Sequence, residues 1–401
     1  MIVTHLRTVF LALLIGLITA ATAVSADFET RAGWSDQLFP SFLIATATIK
    51  LPKEAVEEYE GQQVLGDPQG LVGITIEAPE DDTPITVTIT CDTIMEPSTF
   101  TGTLDTAGET YTILPKIRWK YDALAKHHQA TPITVTFEVE IGDEDAQEES
   151  QTLTLRSVND CPFTVIEDDQ QRDVSFMFAA YVNEQHPFVD KMLREALNTG
   201  IVDSFTGYQS KDAKEVYRQA YALWHALSAR DLRYSDITTT AAESESVHSQ
   251  HVRLLDESIN NGQANCVDGS VLLASLLRKV GIEPILVMVP GHCYLAFWID
   301  AEGKQIAALE TTLIGSSVEK ATRIEGMKDV VSGEWKEENS WKTFAAALAM
   351  GADNLQKNEA KFKAADEADY QLIPIIAARK LGILPIAFQS GERLASPSGK
   401  Q

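Results

Sequence analysis

The chain places a cysteine where an amphipathic helix begins and a histidine where a strand begins shortly afterwards, and this order restricts the folds it can adopt. Asn265 precedes Cys266, and its side chain is suited to cap the first turn of a helix. Asp268 falls at the third helical position, where an acidic side chain completes a capping box. Gly281 is typical of the residue that follows such a helix. We therefore predict a helix with Cys266 in its first turn and an end just before Gly281.

The residues that follow this helix predict antiparallel strands that carry a histidine and a carboxylate. Apolar and β-branched patterning predicts strands at 283–290, 292–300 and 305–314. Gly303 suits the left-handed position of a three-residue hairpin loop. If Asp300 pairs with Lys304, Glu310 lies on the same face of the hairpin as His292 and diagonal to it. A shift of one residue in this register moves Glu310 to the opposite face.

A thiol, an imidazole and a carboxylate in this order predict a nucleophilic triad. The unpaired N–H groups and the dipole of a helix N-terminus favour the thiolate form of Cys266. His292 then accepts the thiol proton, and Glu310 orients the imidazole. Gln263 is a candidate second donor to the oxyanion, beside the backbone N–H of Cys266. Each residue alone is more often structural, but the three placements agree.

The same segment resembles the core of the transglutaminase-like (papain-like cysteine protease) superfamily. The resemblance runs from about Tyr217 to Gly315, and it rests on an upstream helix ending near Tyr234, a Gly-x-Cys-x-Asp-like start at Cys266, a strand-leading His292, and an acid before threonine at Glu310. Two positions depart from the family pattern: Ala264 replaces the usual glycine, and Glu310 replaces the usual aspartate.

The resemblance implies a function of one of two kinds. The first is a thiol-dependent amide-bond enzyme, a peptidase, amidase or acyl transferase that uses Cys266, His292 and Glu310 on a peptide or protein substrate without a cofactor. The second is a catalytically inactive member of the fold that serves as a peptide- or glycan-binding module. The family contains amide hydrolases, protein cross-linkers and inactive members, so the resemblance alone leaves both open.

The N-terminal residues 1–26 predict a secretory signal peptide. Arg7 supplies the positive charge, a short apolar run follows, and Val24-Ser25-Ala26 fits a cleavage site. An uncleaved N-terminal anchor is the alternative. We expect a periplasmic or extracellular protein with no stable membrane insertion after signal cleavage. The net charge of −25 argues against nucleic acid as a partner.

Export makes disulfide bonds possible for the four cysteines. Cys91 and Cys161 both lie in the N-terminal half, and we predict that they pair. Cys293 follows His292 on a strand, so its side chain is expected on the opposite face as a buried thiol. A Cys266–Cys293 disulfide is the alternative, and it would block the site.

The pattern along the chain predicts an α+β protein with several parts. Residues 27–165 alternate in the manner of strands and predict an antiparallel, immunoglobulin-like β-sandwich. Residues 166–315 predict the papain/transglutaminase-like α+β core, 316–390 a helical C-terminal extension, and 391–401 a disordered tail. The predicted helices start at Pro187, Ser210, Trp341 and Pro374.

Two segments carry weak metal-binding patterns. His248 and His251 stand at helical spacing but lack further ligands, and the acidic residues 142–150 suit a solvated hairpin tip better than a calcium loop. We therefore predict neither a metal nor a cofactor.

Overall fold

The computed structural model describes residues 28–386, except 51–62, 168–169, 237–243, 320–321, 323, 325–326, 328 and 365–368. The described chain is a mixed α+β protein, which confirms the predicted class. It divides into two compact units. Unit 1 holds the described residues up to Val174 and those of the segment Ala241–Gln250, and unit 2 holds the described remainder. The predicted signal peptide (1–26) and C-terminal tail (391–401) lie outside the described residues.

Unit 1 is built mainly from strands. Its elements up to residue 173 are β1 Phe28–Ala32, β2 Gln37–Leu38, α1 Pro40–Thr46, β3 Val64–Gly66, β4 Val72–Glu77, β5 Thr83–Thr90, β6 Met95–Glu96, β7 Ser98–Leu104, β8 Thr110–Leu114, β9 Arg118–Trp119, α2 Tyr121–Ala125, β10 Thr131–Ile141, β11 Gln147–Leu155, β12 Asp160–Glu167 and β13 Gln170–Asp173.

Two larger sheets organise these strands. One has the order β1-β4-β8-β3 and the other β2-β11-β10-β5-β7, while β6 and β9 form a separate pair. In β10, the apolar side chains at alternate positions are buried and the threonines and glutamates between them face outward. This alternation is the period of an antiparallel strand with one buried face. Most pairs are antiparallel, but β2 with β11 and β3 with β8 are parallel.

Unit 2 combines helices with one main sheet. The elements after β13 are a 3₁₀ segment Ser175–Tyr181, α3 Pro187–Asn198, α4 Ala213–Ala229, β14 Arg233–Tyr234, β15 Val247–His251, α5 Leu255–Asn261, β16 Gln263–Ala264, α6 Cys266–Lys279, β17 Pro284–Val289, β18 His292–Trp298, β19 Ile306–Leu309, a 3₁₀ turn Thr311–Leu313, α7 Gly333–Glu337, α8 Asn339–Asn358, a 3₁₀ turn Lys361–Lys363, β20 Gln371–Pro374 and α9 Ile375–Leu381. Of these elements, β15 belongs to unit 1 up to Gln250, and it joins β12 and β13 in a three-stranded sheet.

The main sheet of unit 2 has the order β19-β18-β17-β20. Leu295 pairs with Leu309 and Trp298 with Ile306, which is the register predicted from an Asp300–Lys304 pairing. Gly303 has φ +68°, as the predicted loop requires. The return strand is shorter than predicted, because it ends at Leu309 and Glu310 begins a 3₁₀ turn.

The C-terminal part departs from the helical extension that the sequence predicted. Helix α8 runs from Asn339 to Asn358 and begins two residues before the predicted start at Trp341. Residues 371–374 form β20, which pairs antiparallel with β17 and extends the main sheet. Four residues with a proline at one end are too short to show strand periodicity in sequence, so tertiary pairing decides their conformation.

The predicted disulfide between Cys91 and Cys161 is wrong. All four cysteines are free thiols. Cys91 follows β5 of the five-stranded sheet, whereas Cys161 lies in β12 of the three-stranded sheet. The thiol of Cys161 is fully buried and directs its proton to the Pro162 carbonyl at 3.7 Å. The two cysteines therefore lie on different sheets, although both belong to the N-terminal β region.

Candidate active site

The nucleophile candidate stands at the first position of α6, as the sequence predicts. The Asn265 side chain accepts a hydrogen bond from the Asp268 N–H at 2.9 Å, and the Asp268 carboxylate accepts one from the Asn265 N–H at 3.0 Å. This reciprocal pair confirms the predicted capping box. Gly281 has φ +82° and follows the helix end. Cys266 is half-buried, whereas the other three cysteines are buried.

An arginine that the sequence analysis missed completes this helix start. Asp268 is fully buried, and its carboxylate accepts hydrogen bonds from the Arg253 side chain at 2.7 Å and from the Arg253 N–H at 2.8 Å. A buried carboxylate is costly unless it is paired and hydrogen-bonded. Arg253 lies fifteen positions upstream in a polar segment, where no spacing rule links it to Asp268.

The imidazole of His292 contacts the carboxylate of Glu310. The distance from Nε2 of His292 to Oε2 of Glu310 is 2.7 Å, and Glu310 is 1% exposed. The other carboxylate oxygen accepts hydrogen bonds from the Thr312 hydroxyl at 2.8 Å and from the Thr312 N–H at 3.2 Å. Burial acts to raise the pKa of Glu310, but the hydrogen bond and charge of His292, together with Thr312, outweigh it and lower the pKa.

The thiol of Cys266 is hydrogen-bonded to the same imidazole. Because Glu310 occupies Nε2, Nδ1 is the ring nitrogen left for Cys266. The hydrogen bonds to Cys266 and then to Glu310 raise the pKa of His292 to about 10, against an opposing effect of burial. The imidazole is therefore protonated at neutral pH and lies between a sulfur and a carboxylate. The structure thus brings together the three residues that the sequence singled out.

Two tyrosines belong to this site, and the sequence analysis gave neither of them a role. Tyr294 stacks on the His292 ring, with centroids 6.0 Å apart and planes 24° from parallel. Tyr234 is 46% exposed. The pKa of Tyr234 is raised first by burial and then by the negative charges of Cys266, Asp236 and Glu310, so this tyrosine lies within the electrostatic reach of the thiol. Same-face spacing from His292 was a signal for Tyr294, since alternate residues of a strand share a face.

Gln263 stands on the short strand β16, two positions before the helix cap. Its backbone pairs with Arg233 of β14 in a parallel two-stranded sheet, and its side chain is exposed.

Cys293 is fully buried, and burial is the main cause that raises its pKa far above the ordinary thiol value. Cys266 and Cys293 are both free thiols, so the alternative disulfide between them is not formed.

The structure also corrects the helical spacing that the sequence suggested for His248 and His251. His248 and His251 lie on strand β15 and not on a helix. Residues three apart on a strand point to opposite faces, so the two rings do not converge. Within the described ranges, no group of three or more His, Cys, Asp or Glu side chains has the arrangement of a metal site. None of the helices that the structure describes has the length and apolar character needed to cross a bilayer.

Comparisons with protein-family models, with curated protein sequences and with solved structures gave no match to this chain.

Proposed function

We propose that this protein is a thiol-dependent amide-bond enzyme with Cys266 as nucleophile, His292 as acid and base, and Glu310 as the residue that orients the imidazole. One observation carries the proposal: His292 is bound on one side by the Cys266 thiol and on the other by the buried Glu310 carboxylate at 2.7 Å. An imidazole in this position exchanges protons with the sulfur and keeps one tautomer.

The acylation step follows from these contacts. The thiol proton of Cys266 first passes to Nδ1 of His292, which gives a thiolate and an imidazolium. The Cys266 thiolate then attacks the carbonyl carbon of the substrate and forms a C–S bond, while the electron pair of the C=O bond moves to the oxygen. The His292 imidazolium gives its Nδ1 proton to the nitrogen of the leaving amine as the C–N bond breaks. The product is a thioester on Cys266, and His292 is left neutral and hydrogen-bonded to Glu310.

The second step returns the enzyme to its starting state. Neutral His292 takes a proton from an incoming water or amine, whose oxygen or nitrogen attacks the thioester carbon. Expulsion of the Cys266 thiolate restores the thiolate and imidazolium pair. Attack by water gives a peptidase or amidase, and attack by an amine gives an acyl transferase. We place hydrolysis first, because water is present at every turnover.

The oxyanion of the tetrahedral intermediate needs two donors. The backbone N–H of Cys266 is one, because the first N–H groups of a helix have no intrahelical acceptor. Gln263 is the second candidate from its position just before the helix cap. Tyr234 is a further candidate, because its hydroxyl is a proton donor below its raised pKa and lies within the electrostatic reach of Cys266.

The finer features of the fold belong to the same proposal. We infer that unit 2 has a papain/transglutaminase-like arrangement, since helix α6 delivers the thiol and strand β18 delivers the histidine. We infer that the two larger sheets of unit 1 form a sandwich, since β4 and β10 each bury alternate apolar residues. A signal peptide at 1–26 and export to the periplasm or the outside complete the proposal.

A peptide probe that ends in a thiol-reactive acyloxymethyl ketone tests this function. The native chain should be labelled at Cys266, because it is the cysteine that is not buried. His292→Ala should slow labelling about 100-fold, because general acid–base assistance is worth ~10²–10⁴-fold. His248→Ala is the matched control, since this exposed histidine lies in unit 1.

Turnover of a peptide amide substrate is then measured for the same variants. Loss of turnover in Cys266→Ala and His292→Ala, with His248→Ala unchanged, supports the enzyme. Equal labelling of wild type and His292→Ala would overturn it and favour the binding module, because the thiol would then react without help from the imidazole.

A further inference from the structure

A buried hydroxyl on helix α6 touches each of the segments that carry the proposed catalytic residues. The side chain of Ser270 is fully buried. Its hydroxyl donates to the carbonyl oxygen of Cys266 at 2.7 Å and lies 3.0 Å from the hydroxyl of Thr311. The Ser270 side chain also interacts with the Cys293 thiol, and this interaction acts to lower the pKa of the thiol against the larger effect of burial.

The three partners of Ser270 come from distant parts of the sequence. Cys266 is itself the proposed nucleophile, at the start of α6. Thr311 directly follows Glu310 in the 3₁₀ turn, and Cys293 directly follows His292 in β18. The Ser270 side chain therefore joins the helix and the turn, at the place where both pack against the strand that carries the imidazole.

The hydrogen-bond donors can be assigned from the number of protons available. A serine hydroxyl has one proton, and the shortest contact of Ser270 is to the Cys266 carbonyl, which has no proton to give. The Ser270 oxygen therefore accepts from Thr311, whose hydroxyl also lies 3.4 Å from the Cys266 carbonyl. The resulting chain runs from Thr311 through Ser270 to the backbone of Cys266.

Close packing at the neighbouring position supports the same connection. A Cβ atom placed on Gly269 would lie 3.4 Å from both Cβ and Oγ1 of Thr311. A Cβ atom at this position would be in ordinary van der Waals contact with Thr311, so the first turn of α6 and the 3₁₀ turn pack directly against each other. This contact limits movement of helix α6 relative to the 3₁₀ turn, because protein interiors are close-packed.

We propose that Ser270 is a positioning residue, whose hydroxyl sets the placement of Cys266 relative to Glu310, and so to His292, through its hydrogen bonds to the Cys266 carbonyl and to Thr311. Ser270 touches no reacting atom, so its effect on chemistry is indirect. This inference rests on the proposed function, and its experiment keeps the two apart.

Ser275 is a matched comparison on the same helix. It is also fully buried, and its hydroxyl donates to the carbonyl four residues earlier, that of Val271, at 2.7 Å. It accepts a hydrogen bond from the Asn183 N–H at 2.9 Å. Ser275→Ala therefore removes a similar set of hydrogen bonds without touching the segments of the triad.

The test compares Ser270→Ala, Thr311→Val, Thr311→Ser and Ser275→Ala in the full chain. Three quantities are measured: the thermal midpoint, the rate of Cys266 alkylation by iodoacetamide as a function of pH, and kcat and KM for a peptide amide. Ser270→Ala should lower kcat about 10- to 100-fold with little change in KM, because displacement by about 1 Å costs up to ~10²-fold. It should also shift the pH profile of alkylation.

Thr311→Val should act in the same direction, and Thr311→Ser should restore the wild-type profile, because it retains the hydroxyl. Ser275→Ala should lower the thermal midpoint while kcat and the pH profile stay at wild-type values. Equal thermal loss in Ser270→Ala and Ser275→Ala, with wild-type kcat and pH profile in both, overturns the inference. If Ser270→Ala does not fold, a wild-type profile in folded Thr311→Val overturns it.

His292→Ala separates the two proposals. If alkylation of Cys266 keeps its wild-type pH profile in His292→Ala, the proposed function fails. If His292→Ala changes the profile and Ser270→Ala does not, the positioning role of Ser270 fails and the proposed function stands.

Discussion

The backbone N–H of Glu310 donates to the carbonyl of Ala347 at 3.0 Å, so the carboxylate that contacts His292 is held by helix α8. Strand β19 ends at Leu309, and the following N–H finds its acceptor on the helix and not on a neighbouring strand. Helix α8 belongs to the C-terminal extension, which is therefore part of the site's construction.

Gly351 determines how closely α8 approaches this strand. A Cβ atom at Gly351 would lie 2.5 Å from the Ala308 carbonyl carbon and 2.6 Å from the Leu309 nitrogen. We expect Gly351→Ala to destabilise the protein, because overpacking costs about 1–3 kcal/mol and the gain in helix propensity is only about 0.5–1 kcal/mol. Turnover should fall as well, because the displaced helix carries the acceptor of the Glu310 N–H. Denaturant unfolding and amide turnover measure the two effects.

Gly333→Ala is the control for this substitution. No heavy atom lies within 4 Å of a Cβ placed on Gly333, at the start of α7. Its stability and turnover should stay within error of wild type. An equal loss of stability and turnover in both variants would show that the contact of Gly351 with β19 is not the cause of the loss.

The parts of the site that local chemistry specifies were predictable from the sequence. The capping box of Asn265 and Asp268, the end of α6 before Gly281, and the hairpin register through Gly303 are decided within a few residues of the chain. Turn and cap preferences act over that range, so they leave a pattern in the sequence.

The parts that the sequence did not reveal depend on contacts between distant residues. Arg253 pairs with Asp268, β20 pairs with β17, and Ala347 accepts the Glu310 N–H. The free thiols of Cys91 and Cys161 are a case of the same kind. No spacing rule encodes such contacts, since they arise only when the elements pack.

The charge of Glu310 should determine the pH at which turnover declines on the alkaline side of the pH profile. Hydrogen bonds to Cys266 and Glu310 raise the pKa of His292 to about 10. In the proposed mechanism, the leaving amine takes its proton from the imidazolium. Turnover should therefore decline as pH rises toward 10. In Glu310→Gln the limb should move to lower pH, and turnover near neutrality should fall about 100-fold. Glu310→Asp keeps the charge but shortens the arm, so its turnover should lie between the two.

The same group predicts the pH dependence of stability. The pKa of His292 is higher in the folded state than the ordinary value of about 6.5. Its stabilising contribution is thus complete below about pH 6.5 and is lost as pH rises through about 10. The free energy of unfolding should fall more steeply over this range in wild type than in Glu310→Gln. Parallel curves would contradict the placement of the imidazolium beside Glu310.

The thiols offer a direct chemical count. All four cysteines are free, and Cys266 is half-buried while the rest are buried. We expect a thiol-reactive chromophore to modify Cys266 first in the native protein and all four cysteines after denaturation without a reductant. A count of two thiols in denaturant, rising to four on reduction, would support the Cys91–Cys161 disulfide that the sequence predicted. Cys266→Ala should abolish the fast native phase.

Removal of Arg253 should expose the cost of the buried Asp268 carboxylate. Arg253→Met leaves that carboxylate, which is fully buried, without its cationic partner, although the cap to Asn265 and the Arg253 N–H remain. We expect a loss of about 3 kcal/mol in the free energy of unfolding, the range observed when one member of a buried ion pair is removed. Because the capping box positions the first turn of α6, alkylation of Cys266 should also slow.

A surface ion pair serves as the control for this loss. Lys357 and Asp353 lie 2.5 Å apart on α8 with most of each side chain exposed. Lys357→Met should change stability by less than about 0.5 kcal/mol, because exposed pairs contribute little. Adding Asp268→Asn to Arg253→Met removes the unpaired charge, so the double variant should be less destabilised than the sum of the single variants. Additive losses would mean that Arg253 and Asp268 stabilise the helix start independently, and the ion pair at 2.7 Å would then not be what holds Cys266 in place.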